Sequence, residues 1–301
     1  MEVAVVIPCY NEEVTVGKVV NDFKAALPDA KVYVIDNNST DKTAEKARAA
    51  GAIVIKECRQ GKGFVVQSAF SDIVADIYVM VDGDDTYDVS DVHKLMLPII
   101  NGDADIATSA RLMDHHPEAF RRLHYFGNRL ITGAINSVFN SDLKDVLTGF
   151  RAFSKRFVKM VPITSAGFAV ETEMTLQGLR HGFVFKEIVS HYKERPEGSE
   201  SKLNTFRDGF IILKKIISIY VKYRPLNFFS ILATFFFILS ITTGTVVVYE
   251  YWRYSYIYRV PTAILASGSM LMSGISMTLG IILHIFDSRL KEIEYLLSVK
   301  R

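Results

Sequence analysis

The sequence predicts an α/β domain with a mostly parallel sheet and flanking helices, followed by a C-terminal hairpin of two transmembrane helices. In the first hundred residues, short β-branched apolar runs alternate with helical patterns, which is typical of parallel strands joined by crossover helices. In the last quarter, Leu226–Tyr249 and Val260–Phe286 contain no Asp, Glu, Lys or Arg. Each stretch is long enough to cross a bilayer, which takes about 20 apolar residues.

The strands and helices of the first domain follow from local patterns. Between the second and third strands, Ser39 or Thr40 can cap the start of a helix, and Gly51 can close its end. Beyond about Ala104 the alternation weakens. The predicted strands are Val3–Ile7, Lys31–Ile35, Ala52–Ile55, Ile77–Val81 and Asp105–Ser109, and further helices are expected around Phe120–Phe139 and Ala169–His181.

The composition of the chain excludes several classes of protein. Its 301 residues are 49% hydrophobic and 23% charged, which predicts one sizeable globular domain plus a smaller part rather than a disordered chain. A net charge of +2 and a pI near 8.3 argue against a nucleic-acid-binding protein, which concentrates a basic excess. Cys9 and Cys58, the only cysteines, are far apart in sequence, so we expect no disulfide and a reducing compartment.

Basic residues flank the two uncharged stretches on their outer sides. Four precede the first stretch and four follow the second, against Arg253 and Arg259 between them, so we expect the large domain and the tail to be cytoplasmic. Between Leu203 and Tyr223, apolar residues recur at helical spacing, which predicts an amphipathic helix lying on the membrane. The flanking basic residues are Lys214, Lys215, Lys222, Arg224, Arg289, Lys291, Lys300 and Arg301.

These patterns predict a multi-pass protein of the cell membrane, either the plasma membrane or its equivalent. Its expected parts are a cytoplasmic domain at residues 1–202, an interfacial helix at 203–225, a transmembrane hairpin at 226–286 and a cytoplasmic tail at 287–301. Small residues in the second stretch are compatible with a homo-oligomer. They are Gly268, Ser269, Ser273 and Gly274.

The sharpest local pattern is Val81-Asp82-Gly83-Asp84-Asp85, at the end of the fourth predicted strand. Closely spaced carboxylates attract a hard divalent cation such as Mg²⁺ or Mn²⁺, which completes its coordination with water and substrate phosphate oxygens. Taken alone, the pattern also fits an acidic turn. Three further motifs favour a ligand site, because they lie where open α/β sheets bind ligands. They are Ile7-Pro8-Cys9-Tyr10-Asn11-Glu12-Glu13, Asp36-Asn37-Asn38-Ser39 and Gln60-Gly61-Lys62-Gly63.

In this order, the motifs resemble those of the large family of inverting glycosyltransferases with the GT-A fold, and most of all its dolichol-phosphate mannose synthase branch. The resemblance covers nearly the whole chain and implies a Rossmann-like GT-A sheet, a nucleotide-sugar donor and a bound Mg²⁺ or Mn²⁺. It implies that Asp82 and Asp84 hold this ion and that Asp84 is catalytic. Gly83 and Asp85 depart from the mannose synthases, so the donor stays open between UDP- and GDP-sugars. The implied donor-binding residues are Pro8, Tyr10, Glu12, Asp36, Lys62, Asp82 and Gly83.

Three later motifs are similar to the family's G-S-R, S-G-F-R and R-x-x-G-x-S-K segments. The resemblance implies that Arg111, also catalytic, binds phosphate together with Arg195 and Lys202, and that the acceptor is the phosphate of a polyprenyl or dolichyl lipid. A guanidinium suits this role because it grips phosphate bidentately. Arg122 is a further candidate for acceptor contact, although paired basic residues on a helix more often form a solvated face. The motifs are Ser109-Ala110-Arg111, Thr148-Gly149-Phe150-Arg151 and the segment from Arg195 to Lys202.

The implied reaction is an in-line displacement at the anomeric carbon of the sugar, with inversion. A lipid phosphate is already ionised near neutral pH, so this reaction needs no strongly shifted catalytic base. Two alternatives stay open: the same chemistry on a protein, a polysaccharide or another lipid, and a non-catalytic nucleotide-sugar-binding membrane scaffold. Glu171 and Glu173 are either catalytic carboxylates or residues that open a helix. His115-His116 is interpreted as a surface loop rather than a metal site.

Overall fold

The computed structural model describes residues 1–112, 119–164, 170–191, 214 and 216–299. The chain divides into two compact units, Met1–Asp208 and Gly209–Arg301. The first unit contains the α/β sheet, and the second contains the long apolar helices.

The sheet of the first unit has seven strands. They are β1 (Val3–Cys9), β2 (Lys31–Asp36), β3 (Ile53–Lys56), β4 (Ile77–Met80), β5 (Ile106–Leu112), β6 (Arg151–Ser154) and β7 (Phe185–His191). Their order across the sheet is β3-β2-β1-β4-β6-β5-β7. β6 runs antiparallel to both of its neighbours, and the other pairings are parallel. The predicted mostly parallel sheet is therefore confirmed.

Helices connect these strands and cover both faces of the sheet. They are α1 (Val16–Ala26), α2 (Thr43–Ala49), α3 (Lys62–Asp72), α4 (Val92–Ile100), α5 (Ala119–Phe139), α6 (Lys155–Met160) and α7 (Val170–Arg180). The helices predicted around 120–139 and 169–181 are confirmed as α5 and α7. The sequence patterns had not predicted α4, β6, α6 or β7.

The predicted start of α2 is wrong, whereas its predicted end is confirmed. α2 begins at Thr43, and neither Ser39 nor Thr40 caps it. Asp41 Oδ1 instead accepts the Thr43 N–H at 2.9 Å, ahead of the first helical residue. Gly51 follows the end of the helix with a φ of +84°, a conformation that suits glycine.

Alternate residues of β1 face two separate apolar cores. Val5 and Ile7 belong to the core that includes Phe23 of α1, whereas Ala4 and Val6 belong to the core that includes residues of α3 and α7. Because helices cover both faces, the central strands carry nearly continuous apolar runs instead of alternating ones. This arrangement leaves polar groups to the strand ends, where the predicted site residues lie.

The antiparallel strand β6 brings the second half of the sequence to the end of β4. Arg151, its first residue, pairs with Met80, the last residue of β4. The loop before β6, which contains Thr148 and Gly149, is therefore adjacent to the acidic turn that follows β4.

The second unit contains a helical segment at residues 216–223 (α8) and two long helices, α9 (Pro225–Tyr254) and α10 (Val260–Val299). Pro225–Tyr254 and Val260–Leu290 are long and apolar enough to cross a membrane. α10 continues to Val299, so residues 287–299, which the sequence assigned to a tail, extend this helix. The predicted amphipathic helix at 203–225 falls largely outside the described residues.

Small residues lie along the seam between α9 and α10. Ser240 Oγ donates a hydrogen bond to the carbonyl of Ala266 at 2.8 Å, and Ser273 Oγ donates one to the carbonyl of Ala233 at 2.9 Å. A Cβ at Gly280 would lie 2.8 Å from a side-chain carbon of α9, so glycine permits the close approach of the helices. Such contacts are typical of helix pairs in membranes. Ser273, one of the small residues considered for oligomerisation, is used here within the chain.

Candidate active site

The loops after β1 and β2 are bound to each other by hydrogen bonds between side chains and backbone. Asn11, whose φ is +54°, accepts the Thr40 N–H at 2.8 Å through its side-chain oxygen. Ser39 Oγ accepts the Asn11 N–H at 3.0 Å, and Thr43 Oγ1 accepts the Glu12 N–H at 2.8 Å. These bonds hold the first sequence motif at the carboxyl end of the sheet. Ser39 and Thr40 serve this loop contact rather than capping α2.

The structure brings four of the predicted donor-binding residues to this edge. Pro8 lies in β1 beside the end of β2, where the buried Asp36 is the last residue. Asp36 Oδ1 accepts the Ser39 N–H at 3.2 Å, which fixes the carboxylate at the strand end. Tyr10 is exposed and Glu12 half-buried in the loop after β1. The four residues therefore share the position at which parallel sheets bind ligands.

Asn37 joins this edge to the loop that precedes α3. Its side-chain amide donates hydrogen bonds to the carbonyls of Glu57 at 3.2 Å and Arg59 at 2.7 Å. Its side-chain oxygen accepts the Gly61 N–H at 2.7 Å. Asn37 was part of a quoted motif, but the sequence reasoning did not identify its role, because its partners lie 20 or more residues away.

Gly83 occupies a position in the acidic turn that has no room for a side chain. A Cβ at Gly83 would lie 2.7 Å from Cys9 Sγ, and the Gly83 carbonyl accepts a hydrogen bond from Thr15 Oγ1 at 2.6 Å. Asp85 has a φ of +57°, and its carboxylate lies 2.6 Å from Lys18 Nζ. Burial raises the pKa of the Cys9 thiol, and neighbouring carboxylates raise it further. Cys9 is therefore a neutral packing group beneath the turn.

Lys62 joins the acidic turn to α7. Its Nζ contacts Asp82 Oδ1 and lies 2.5 Å from Glu171 Oε1, and 12% of its side chain is exposed. Burial on its own lowers the pKa of Lys62, but the charges of Asp82 and Glu171 outweigh it and hold this pKa well above its ordinary value. Glu173, by contrast, accepts the Thr164 N–H at 3.0 Å. Of the two glutamates that the sequence left open, Glu171 faces the site and Glu173 holds Thr164.

Gly149 allows the loop before β6 to lie directly against Asp82. A Cβ at Gly149 would lie 2.7 Å from Asp82 Cγ and 2.9 Å from Asp82 Oδ1. The Gly149 N–H donates a hydrogen bond to Tyr87 OH at 2.9 Å, which holds the loop in place. The Asp82 carboxylate is thus enclosed between Lys62 on one side and the Gly149 backbone on another.

Arg151 is a fully buried cation that supports this loop from within the protein. It donates hydrogen bonds to the carbonyls of Thr148 at 2.9 Å and Val146 at 2.8 Å, and to Thr175 Oγ1 of α7 at 2.9 Å. Burial lowers the pKa of Arg151, and the charge of Glu171 opposes this effect. Arg151, quoted from the sequence only as part of a motif, therefore ties the loop before β6 to α7.

Arg111, at the end of β5, forms a bidentate ion pair with Asp145. Arg111 Nε lies 2.6 Å from Asp145 Oδ2, and Nη2 lies 3.1 Å from Oδ1. Asp145 is buried and also accepts a hydrogen bond from Asn128 Nδ2 at 2.9 Å. Burial alone raises the pKa of Asp145, but the charge of Arg111 outweighs it and lowers this pKa below its ordinary value. Asp145, which the sequence reasoning missed, thereby orients the guanidinium of Arg111.

Several residues singled out from the sequence lie outside the part of the chain that the structure describes. Arg195 and Lys202 fall in the undescribed segment 192–213, and His115 and His116 fall in 113–118. Arg122 lies on α5, but its side chain is not among those described. The phosphate contacts of Arg195, Lys202 and Arg122 remain predictions, and so does the surface loop at His115-His116.

Asp82 and Asp84 are suited to Mg²⁺ or Mn²⁺, because these hard cations prefer carboxylate oxygens. Asp84 is buried and accepts a hydrogen bond from Thr86 Oγ1 at 2.6 Å, whereas 27% of the Asp82 side chain is exposed. Within the described residues, no group of three or more His, Cys, Asp or Glu side chains could hold a metal ion. Two carboxylates nevertheless fit a cation that takes its other ligands from water and a diphosphate.

Sequence comparisons relate the chain to sugar-transferring enzymes. The family model described as glycosyl transferase family 2 matches residues 4–161. Glycosyltransferase AglJ of Haloferax volcanii is 36% identical over 76% of this chain and 75% of the relative. A dolichyl-phosphate hexose transferase of the same organism is 29% identical over 74% of this chain and 96% of the relative.

A solved structure shares the fold. Glucosyl-3-phosphoglycerate synthase from Mycobacterium tuberculosis, in complex with Mn²⁺, UDP and glucosyl-3-phosphoglycerate, has a TM-score of 0.59 at 20% identity. The similarity covers 73% of this chain and 78% of that protein. The same synthase has also been solved with Mg²⁺ and UDP. At this identity the likeness concerns the fold, and it agrees with the predicted GT-A architecture.

Proposed function

The chain belongs to glycosyl transferase family 2, and on that premise we propose that it transfers a hexose from a nucleotide-sugar to the phosphate of a polyprenyl lipid. One observation carries the proposal. The motifs after β1, β2 and β4 meet at one edge of the sheet, where Asp82 lies between Lys62 and Gly149. The similarity to a dolichyl-phosphate hexose transferase supports a lipid phosphate as the acceptor.

On the donor side, the residues of the first two loops surround the nucleotide. Pro8, Tyr10, Glu12 and Asp36 contact the nucleoside, and Gly83 lets its backbone approach the donor closely. Asp82 and Asp84 hold Mg²⁺ or Mn²⁺, which when bound neutralises charge on the diphosphate leaving group. Lys62 contributes a further positive charge beside Asp82. These groups lower the barrier by binding the leaving group in the charged form that it develops.

On the acceptor side, basic residues receive the lipid phosphate. Arg111, oriented by Asp145, contacts this phosphate together with Arg195, Lys202 and Arg122. The phosphate oxygen attacks the anomeric carbon opposite the leaving diphosphate, so the configuration inverts. Since that oxygen is already ionised near neutral pH, no protein group has to remove a proton. The pairing of Glu171 with Lys62 fits this view, because a buried ion-paired glutamate is poorly suited to act as a general base.

The apolar helices give the enzyme access to a lipid substrate. We propose that α9 and α10 cross the cell membrane as a hairpin, with residues 1–202 and the chain end on the cytoplasmic side. Basic residues before and after the hairpin support this orientation. A polyprenyl chain would then stay in the bilayer while its phosphate meets the soluble donor at the surface. The amphipathic segment 203–225 is proposed to lie at that surface.

The experiment is transfer of radiolabelled hexose into lipid extractable with organic solvent. Purified protein is incubated with UDP- and GDP-hexoses and polyprenyl phosphate in Mg²⁺, Mn²⁺ or EDTA. We expect metal-dependent label in the lipid phase from one donor, and its loss in Asp84→Ala. Asp29→Ala, at an exposed position between α1 and β2, provides a matched surface control. Label on another acceptor, or donor binding with no transfer to any acceptor, would overturn the proposed reaction.

A further inference from the structure

Lys62 lies at a position where a positive charge is unfavourable unless acidic side chains stabilise it. It is the first residue of α3, and the amino end of a helix repels positive charge. Its side chain is also largely buried, which costs free energy for an ammonium group. Asp82 and Glu171 offset both costs by direct ion pairing. A residue that needs two acidic partners to be tolerated is better explained by its charge than by its packing.

Carboxylates outnumber cations around Lys62. Three carboxylates lie here: Asp82 and Glu171 contact the lysine, and Asp84 lies two residues after Asp82 in the loop that follows β4. With Lys62 and the buried Arg151, whose charge interacts with that of Glu171, they leave a net negative charge. Asp85, the next carboxylate along the chain, is already paired with Lys18 at 2.6 Å. The cluster therefore keeps a net negative charge that attracts a cation, and Lys62 reduces this attraction.

We propose that Lys62 and Glu171 set the charge of the cation site, with Glu171 acting as a positioning residue that holds Lys62 against Asp82. The inference rests on the proposed cation at Asp82 and Asp84. Lys62 limits how strongly the free site attracts the cation, and Glu171 limits how strongly Lys62 repels it. Glu171 is thus assigned a role in electrostatics and positioning rather than in proton transfer.

Binding of Mn²⁺ alone, followed by electron paramagnetic resonance, tests this inference without catalysis. Lys62→Met removes the repelling charge and is expected to tighten Mn²⁺ binding at least about tenfold. Glu171→Gln leaves Lys62 uncompensated and is expected to weaken binding by a similar factor. The double variant restores the original charge and should bind within a few-fold of the wild type, and it removes the unpaired buried charge that threatens folding of each single variant.

The outcomes separate this inference from the proposed function. If the wild type binds no Mn²⁺, the proposed cation site is wrong. If the wild type binds Mn²⁺ but the affinities of the two single variants do not change in opposite directions, the charge-setting role is wrong while the cation site stands. A Glu171→Gln variant with unchanged Mn²⁺ affinity but a greatly reduced kcat would identify Glu171 as a proton-transfer group and overturn the assignment.

The turn of the hairpin comprises residues 249–259, which are the end of α9 and its connection to α10. Six aromatic side chains lie between positions 249 and 258, and each is at least 59% exposed. Ser255, with a φ of +53°, ends α9, and Glu250 pairs with Arg259 at 2.9 Å across the turn. The aromatic residues are Tyr249, Tyr251, Trp252, Tyr254, Tyr256 and Tyr258.

The composition of this turn matches the boundary between lipid and water. Tyrosine and tryptophan have an apolar ring and one polar group, so they concentrate where one end is apolar and the other is wet. The turn is continuous with two helices long and apolar enough to cross a membrane. Arg253 adds an exposed guanidinium, a group that can bind a lipid phosphate bidentately. An exposed apolar patch of this kind on a soluble surface would favour aggregation.

We infer that this turn is an anchor that lies in the lipid head-group layer. The inference rests on the proposed hairpin and not on the reaction. Trp252 is the single tryptophan of the chain and is 80% exposed in the turn. Its fluorescence therefore reports on this turn alone in the unmodified full-length protein.

The test is quenching of Trp252 in phosphatidylcholine vesicles that carry spin labels at the head group, near the top of the acyl chain or near its end. We expect the shallow labels to quench most strongly, and dissolved iodide to quench weakly. Strong iodide quenching in protein that still resists alkaline extraction would overturn the anchor and leave the hairpin standing. Extraction of the protein by alkali would contradict both the anchor and the hairpin. Loss of lipid quenching at high protein density would instead indicate a second copy covering the turn.

Discussion

Replacing Gly149 by alanine is expected to disrupt the donor site without altering any charged residue. The added Cβ would lie closest to Asp82 Oδ2 and 2.7 Å from Asp82 Cγ, whereas ordinary contacts begin at 3.4 Å, so the carboxylate or the loop has to move by about 1 Å. Displacement of a reacting group by roughly 1 Å can cost about 10²-fold in rate. We therefore expect hexose transfer to fall by about 10- to 100-fold, with weaker cation binding.

The assay is the initial rate of hexose transfer to polyprenyl phosphate, measured beside thermal unfolding and Mn²⁺ affinity. Overpacking of this kind costs roughly 1–3 kcal/mol of stability, so the variant should remain folded at assay temperature. Gly133→Ala is the matched control, because nothing lies within 4 Å of the added Cβ on α5, and alanine favours a helix by up to about 1 kcal/mol. Wild-type transfer and Mn²⁺ affinity in Gly149→Ala would refute the proposed enclosure of Asp82.

Three further predictions concern stability. Arg151→Met leaves buried carbonyls without their donor and should lower the free energy of unfolding by roughly 2–5 kcal/mol in a denaturant titration; an unchanged midpoint would contradict this. The pKa of Glu57, held at about 2 by hydrogen bonds from Arg59 against an ordinary 4.5, predicts a stabilising effect that is complete above pH 4.5 and lost as pH falls towards 2. The difference in Tm between the wild type and Glu57→Gln should decrease as pH falls over that range, whereas a constant difference would contradict the stabilising role of Glu57. Ser240→Ala and Ser273→Ala should each destabilise the detergent-solubilised hairpin by about 0.6 kcal/mol, and no loss in the double variant would show that these bonds do not contribute.

The sequence was most informative where the interactions are local. The β-branched runs that form β1, β2 and β4 are buried on both faces, so their apolar character is continuous and easy to recognise. The uncharged stretches of α9 and α10 are equally easy to recognise, because each is long and apolar enough to cross a membrane. Residues at the ends of these elements, such as Asp36 and Asp82, could then be assigned to a site from the rule that ligands bind at the carboxyl ends of parallel strands.

The parts that could not be predicted depend on distant partners. Asp82 and Gly149 are far apart in the chain, and no periodic pattern indicates that one requires the other to lack a side chain. The same holds for Lys62 and Glu171, and for Arg111 and Asp145. The capping prediction for α2 failed for a related reason, because Ser39 forms its hydrogen bond with Asn11 in another loop. Local propensity indicated which hydrogen bonds and ion pairs these side chains could form, and contacts with distant residues determined which of them are present.

The antiparallel strand β6 also bears on the order in which the protein folds during synthesis. Before residues 151–154 emerge from the ribosome, β4 lacks the neighbour that it has in the finished sheet and presents an unpaired edge. The first hundred residues can form β1, β2 and β3 from sequence-local pairings, but they cannot complete the surroundings of Asp82. We therefore expect the donor site to form late in folding. A nascent chain that stalls before β6 would expose an unpaired strand edge that is prone to aggregation, together with an acidic turn that lacks its neighbouring loop.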